Sequence, residues 1–258
     1  MKMLLGLLSL VFLLPSNASA SGYTFLSHVA HDLHVPEHVI TFGVLAVLIT
    51  IFGFIYRLKV TNFDKSLVPD KGITFRNIVE AFGEFMFNLA KSTMGEKEAH
   101  KYFPVLAMIF LFIFLSNLTG LVPGFLPPTD NINTTLALGI FVFIYYNYQG
   151  IREMGIIGHL KHFAGPVWYL APLVFVIEII SHAVRPVSLA LRLRGNMFGD
   201  HLVLSIFSNL LPYIVPIVFM VLGLFVCFIQ AFVFTLLTMV YISLATAHHD
   251  HDEAGAHH

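Results

Sequence analysis

Two consecutive apolar helix patterns, each longer than a membrane is thick, constrain this chain more than any other feature. The second, residues 212–247, holds about 30 helical residues without one acidic or basic side chain, its polar interruptions being Gln230, Thr235 and Thr238. The first, residues 169–211, is also apolar in pattern but carries Glu178, His182, Arg185, Arg192, Arg194, Asp200 and His201. A perpendicular crossing needs only roughly 20 residues, so both are expected to lie strongly tilted, as a helical hairpin broken at Pro212 and Pro216. The ionisable groups of the first exceed what a lipid-facing anchor tolerates, and they require a polar path or a partner.

The rest of the chain agrees with lipid as the solvent. Hydrophobic residues make up 57% and charged residues 11% of the 258, where a soluble domain carries about 25% charged residues. Fourteen Lys and Arg against fifteen Asp and Glu leave a net charge of -1, with no basic excess for nucleic acid. The single cysteine, Cys227, sits inside an apolar run, which excludes a disulfide framework and a cysteine-based metal site.

Topology follows from where Lys and Arg accumulate. Residues 1–20 combine Lys2, an apolar core and Ala18-Ser19-Ala20 in the order of a secretory signal peptide. Cleaved or retained as an anchor, this leaves residues 21–37 outside. A span over residues 38–57 meets Arg57 and Lys59 at its inner end. Residues 58–102 form a cytoplasmic loop, since Arg57 to Lys101 contains eight of the fourteen Lys and Arg residues. Within it Phe75, Ile78, Val79, Phe82, Phe85, Met86 and Leu89 recur at helical spacing. That pattern reads as an interfacial amphipathic helix, and equally serves a helix laying its apolar face on protein. A second span over 103–122, an outside loop over 123–133 with Asp130 but no Lys or Arg, and a third span over 134–148 come next. A second cytoplasmic loop, 149–168, contains Arg152, His159, Lys161 and His162. After the hairpin, the His-rich tail 248–258 ends in the cytoplasm. The expected fold is thus an all-α, polytopic integral membrane protein with three roughly perpendicular spans, an interfacial amphipathic helix and a long tilted hairpin.

At about 100° per residue, Ser181, Arg185, Ser188, Arg192, Gly195 and Gly199 share an arc of roughly 80°. Small residues let another helix approach closely, and an arginine among them demands an anion on the approaching surface. The second long helix offers Gln230 and hydroxyls but no acid before Asp250, so the carboxylate is expected on another subunit. His201, nine residues after Arg192, falls on the back of the helix. Histidine titrates near neutral pH and can pass protons, whereas arginine acts only as a fixed charge.

The run Arg185-Pro186-Val187-Ser188-Leu189-Ala190-Leu191-Arg192-Leu193-Arg194-Gly195-Asn196-Met197 closely resembles the signature of subunit a of bacterial F-type ATP synthases. Glu178, Asp200-His201, Gln230-Ala231-Phe232-Val233-Phe234, Tyr241-Ile242-Ser243 and Pro128-Thr129-Asp130-Asn131-Ile132-Asn133-Thr134-Thr135-Leu136 extend the resemblance over about Phe103 to Ser243. It implies a non-catalytic stator subunit of the bacterial inner membrane that passes protons to and from a carboxylate on the c-subunit ring. It implies that Arg192 faces that ring with Asn196 and Gln230 nearby. Glu178 then belongs to the cytoplasmic half-channel, and His201 with Asn133 and Asp130 to the outer one. Ser181, Ser188, Gly195 and Gly199 become the rotor-facing packing residues. The partners implied are the c-ring, the subunit b stalk, the other ATP synthase subunits and the bilayer, without nucleic acid, cofactor or metal. Two positions depart from the family pattern: Arg194 replaces an apolar or aromatic residue, and Gly223 takes a place that is ionisable in some members. Asp200 or water is expected to compensate at Gly223.

Plainer assignments stand beside these. Arg185 is read as a snorkelling residue near the cytoplasmic interface, Arg194 as a headgroup or loop contact, and His182 as a structural hydrogen-bonding group. His28, His31, His34 and His38 have helical spacing and are read as a solvated helix start before a metal site. Asn117-Leu118-Thr119 matches a glycosylation pattern but lies inside a span and is discounted. Two other function classes compete with this one. A secondary transporter should have similar halves, and none are visible. A membrane metalloenzyme using His159, His162, His182 and His201 would need ligands at one depth, which their spacing does not supply.

Overall fold

The computed structural model describes residues 27, 31–32, 34–60, 74–122, 125–164, 171–210 and 214–246. The signal-peptide segment 1–20, most of 21–37 and the tail 248–258 lie outside them. Six long helices make up the described part: α1 (Glu37–Val60), α2 (Phe75–Met94), α3 (Glu96–Thr119), α4 (Ile132–Ala164), α5 (Ala171–Leu210) and α6 (Ile214–Thr246). A short 3-10 turn, Pro128–Asp130, precedes α4. Three helices contain stretches long and apolar enough to cross a membrane: Glu37–Leu58, Glu96–Thr119 and Ile217–Thr246. The protein is an all-α polytopic membrane protein.

The helices outrun the expected spans because a charge ends a membrane crossing without ending a helix. α3 begins at Glu96, with Glu96 and Glu98 in its first turn, where acidic groups favour a helix N-terminus. α4 runs on past Tyr148 to Ala164, through most of the segment read as a loop, interrupted at Gly155 with φ 71°. Gly95, with φ 86°, makes the turn between α2 and α3, a backbone conformation that costs glycine little.

The core lies where α2, α3, α4 and α6 meet and α5 leans against them. Met86 and Ala90 of α2, Tyr102, Leu106 and Ile113 of α3, Tyr146 of α4, Leu193 of α5 and Phe234 and Ile242 of α6 are nearly or wholly buried. The apolar stripe of α2 packs on protein. Phe82 meets the ring of Phe110 at 5.5 Å between centroids, and Phe85 reaches Phe110, Phe228 and Phe232. Its outer residues Ile78 and Phe85 remain exposed. α1 touches α3 chiefly through Phe42 and Phe112, 4.7 Å apart, and exposes Val44, Val47, Phe54 and Leu58. Such a surface is the one lipid covers.

α4 and α5 approach closely at Gly139. A Cβ there would stand 2.6 Å from the Pro186 carbonyl oxygen, so only glycine allows the two backbones this contact. Pro186 also lacks an N–H for the helix ladder, and it lies within α5 one turn and a half before Arg192.

Candidate functional site

Polar groups in an apolar helix must be satisfied inside the protein, and α6 separates those that satisfy themselves from the one that does not. The Thr235, Thr238 and Thr246 hydroxyls donate to the carbonyl oxygens of Ala231, Phe234 and Ile242 at 2.8, 2.9 and 2.9 Å, each one turn back. Gln230 is too long for this. Its Oε1 instead accepts a hydrogen bond from Asn196 Nδ2 on α5, while its buried Nε2 has no partner among the described residues. Asn196 and Gln230, inferred separately, are thus joined across the hairpin.

One turn after Asn196, the Asp200 carboxylate lies over Gly223 of α6. A Cβ on Gly223 would come within 2.9 Å of Asp200 Oδ2 and 2.6 Å of Leu121 Cδ2. The absent side chain at 223 is what admits the carboxylate between the helices, so of the two expected compensations Asp200 occupies the place. An open groove of ≈ 500 Å³ runs along the hairpin past Gly195, Asn196, Gly199, Asp200 and Val226.

Arg192 stands one turn before Asn196 on α5. It is exposed and, among the described residues, makes no hydrogen bond or ion pair. Ser181, Ser188 and Gly195 are exposed beside it, and Gly199 is half-buried. A Cβ at Gly195 or Gly199 would meet nothing within 4 Å, so the packing of this chain does not require glycine at either position. Arg185, placed on the same arc by helical geometry, behaves differently. Its Nη1 lies 3.3 Å from His182 Nε2 and its guanidinium 5.1 Å from the centre of the Tyr241 ring. The reading of two arginines on one outward face is corrected here: a long side chain swings onto an aromatic face that offers more than lipid does.

The outer-loop residues gather around the 3-10 turn rather than at the Asn196–Gln230 pair. Arg194 Nε donates to the Asp130 carbonyl oxygen at 3.3 Å, the loop contact expected of it. Asn131 Oδ1 accepts from the Asn133 backbone N–H at 2.9 Å, and Asn131 Nδ2 lies 3.3 Å from His38 Nδ1. Asn133 itself is exposed. The link inward is a residue that the sequence reading discounted. Asn117, 1% exposed, accepts a hydrogen bond from the buried Thr129 hydroxyl at 2.8 Å and lines a small cavity with Asn196, Asp200 and Gln230. Its signal was present in the chain: an asparagine inside a span is expensive unless paired, whatever sequon it also spells. The Glu178 and His201 side chains lie outside the described residues.

The family described as ATP synthase A chain matches residues 39–243. Among similar proteins, ATP synthase subunit a of Bdellovibrio bacteriovorus is 49% identical over 218 residues, covering 84% of this chain and 94% of that relative. ATP synthase subunit a of Sorangium cellulosum is 40% identical over 238 residues, 92% of this chain and 93% of the relative. That of Geobacter sulfurreducens is 45% identical over 215 residues, 83% of this chain and 93% of the relative.

Proposed function

The chain belongs to the ATP synthase A chain family, and from that premise we propose that its α5–α6 hairpin is the stator wall against which a ring of c subunits turns. The protein is the proton-translocating, multi-pass membrane subunit of the synthase. The finer assignments proposed are these: it catalyses no bond-making itself, its N-terminus is outside and its C-terminus cytoplasmic in the bacterial inner membrane, and a subunit b stalk holds it against rotation. The observation that carries the reading is Arg192, a permanently charged, exposed group without a partner among the described residues, on a face of small residues.

A ring carboxylate arriving through lipid is protonated, since an unpaired buried ion costs several kcal/mol or more. Opposite Arg192 the same carboxylate is stabilised as an anion. It can therefore release its proton to one half-channel before that position and accept another from the second half-channel after it. Net transfer then requires the ring to rotate. Arginine does not deprotonate, so it blocks a direct proton shunt between the half-channels. The Asn196–Gln230 pair and Asp200 provide a polar wall on the outer side, with Asp130, Asn133 and His201 toward the mouth and Glu178 on the cytoplasmic path. Each ion moving down the membrane potential supplies about 2.3 kcal/mol per 100 mV.

The test is ATP-driven acidification of inverted membrane vesicles containing the Arg192→Ala variant, with assembly checked by subunit content. Pumping and proton-driven ATP synthesis are expected to disappear while the detached catalytic sector still hydrolyses ATP. Pumping by an assembled Arg192→Ala enzyme would refute the stator reading.

A further inference from the structure

Two arginines of α5 leave the helix at nearly one angle and end in different places. Seven residues are two helical turns less about 20°, which puts Arg185 and Arg192 on the same side. Arg192 is exposed and makes no hydrogen bond or ion pair among the described residues. Arg185 is half-buried, its guanidinium 5.1 Å from the centre of the Tyr241 ring on α6. Its Nη1 lies 3.3 Å from His182 Nε2, and since arginine only donates, the imidazole nitrogen is the acceptor. The aromatic face that takes the charge is itself held. Tyr146 of α4, 1% exposed, stands 5.8 Å from the Tyr241 ring and 5.9 Å from the His182 ring, centre to centre, so three helices build one recess for one guanidinium.

We propose, on the reading of the α5–α6 hairpin as the stator wall, that Tyr241 is a positioning residue for coupling: it draws Arg185 off the rotor face, so that a single fixed cation, Arg192, meets the ring carboxylates. Seven residues of helix span about 10 Å, and helices packed side by side stand about 8–10 Å apart. Where tilted α5 runs along the path of the ring, an outward Arg185 would therefore meet the carboxylate next to the one facing Arg192. Each cation removes the penalty on an unpaired charge in an apolar place, so two neighbouring carboxylates would be held as anions at once. A proton arriving at the second would have to displace an ion pair, and every step of rotation would break two pairs in place of one. Arginine does not relieve this by deprotonating. The side chain has to be directed elsewhere, and the face of an aromatic ring is a neutral acceptor that an apolar helix can offer a cation.

The recess can be emptied without changing either arginine. Tyr241→Leu keeps an apolar side chain on α6 and removes the ring face, whereas Tyr241→Phe keeps the face. In reconstituted holoenzyme, proton-driven ATP synthesis and ATP-driven pumping by Tyr241→Leu are both expected to fall about tenfold, one extra ion pair having to break at each step, while Tyr241→Phe stays near the wild-type rate. Combining Tyr241→Leu with Arg185→Gln separates positioning from packing. The rate is expected to recover in the double variant, because the misplaced charge is gone although the ring is not restored. A wild-type rate in Tyr241→Leu, an equal loss in Tyr241→Phe, or no recovery on adding Arg185→Gln would each overturn the role of Tyr241. None of these outcomes would restore pumping to Arg192→Ala, so the stator reading stands or falls separately. If Tyr241→Leu does not assemble, a high-resolution cryo-electron microscopy map of the wild-type holoenzyme decides: Arg185 guanidinium density is expected over the Tyr241 ring, and density directed at the c-ring would refute the assignment.

Discussion

The two faces of α5 obey different rules. On the face turned toward α6, Leu189, Leu193 and Met197 are buried, Asn196 holds Gln230, and Asp200 fills the space over Gly223. On the neighbouring face Ser181, Ser188, Arg192 and Gly195 are exposed beside Val184 and Leu191, and Arg192 makes no hydrogen bond or ion pair among the described residues. Polar groups of the inner face are chosen by their neighbours in the fold. Those of the outer face are exposed, so their residue types answer to something that comes from outside. The helix is complete on one side and half of an interface on the other.

That contrast is most exposed to Arg192→Lys. An ammonium with a shorter reach loses the fork geometry and has a more readily shifted pKa, so coupled ATP synthesis in vesicles should fall to background although formal charge is conserved. Substantial activity would mean that charge alone is needed and that the outer face is less demanding than argued.

A matched pair of glycine substitutions separates the faces directly. Gly139→Leu drives a side chain into the Pro186 backbone, which cannot rotate aside, at an overpacking cost of about 1–3 kcal/mol or more. The subunit should be depleted from membranes. At Gly195 even the first atom of an added side chain, the Cβ, meets nothing within 4 Å, and Gly195→Leu should leave subunit content normal while coupled synthesis collapses. Immunoblots beside synthesis rates decide the matter, and equal depletion of both variants would erase the distinction.

Gly223→Val probes the inner face. Leu121 can move its flexible end, but Asp200 must leave its place, and proton-driven synthesis should drop about tenfold, or roughly 1.4 kcal/mol in the barrier. Unchanged rates in the assembled enzyme would take Asp200 out of the path. For His201→Leu a slower, still assembled enzyme is expected, because an apolar group of similar bulk keeps packing and removes a titratable one. The smallest effect belongs to Thr129→Val, which leaves the buried Asn117 carbonyl oxygen without its hydroxyl donor, at about 1–3 kcal/mol. Thr129→Ser should restore the wild-type thermal stability, and a Thr129→Val subunit as stable as wild type would show that the outer turn does not set Asn117.

From its sequence this protein was already legible as a set of long apolar helices, with Arg192, Ser188 and Gly195 near one angle around α5 and Gln230 as the odd polar group of α6. Periodicity determines the angle at which a side chain leaves its own helix, and length against bilayer thickness determines tilt. Neither says what stands opposite. Only the tertiary structure turned Arg185 onto Tyr241 while leaving Arg192 outward, laid α2 on α3 and α6, placed Asp200 over Gly223, and drew Asn117 into the wall with Gln230. These juxtapositions bring together residues 23 positions apart, as with Asp200 and Gly223, and more than a hundred apart, as with Asn117 and Gln230 in one cavity wall. Their energetics depend on which long side chain reaches which buried acceptor, and no local pattern along the chain encodes that.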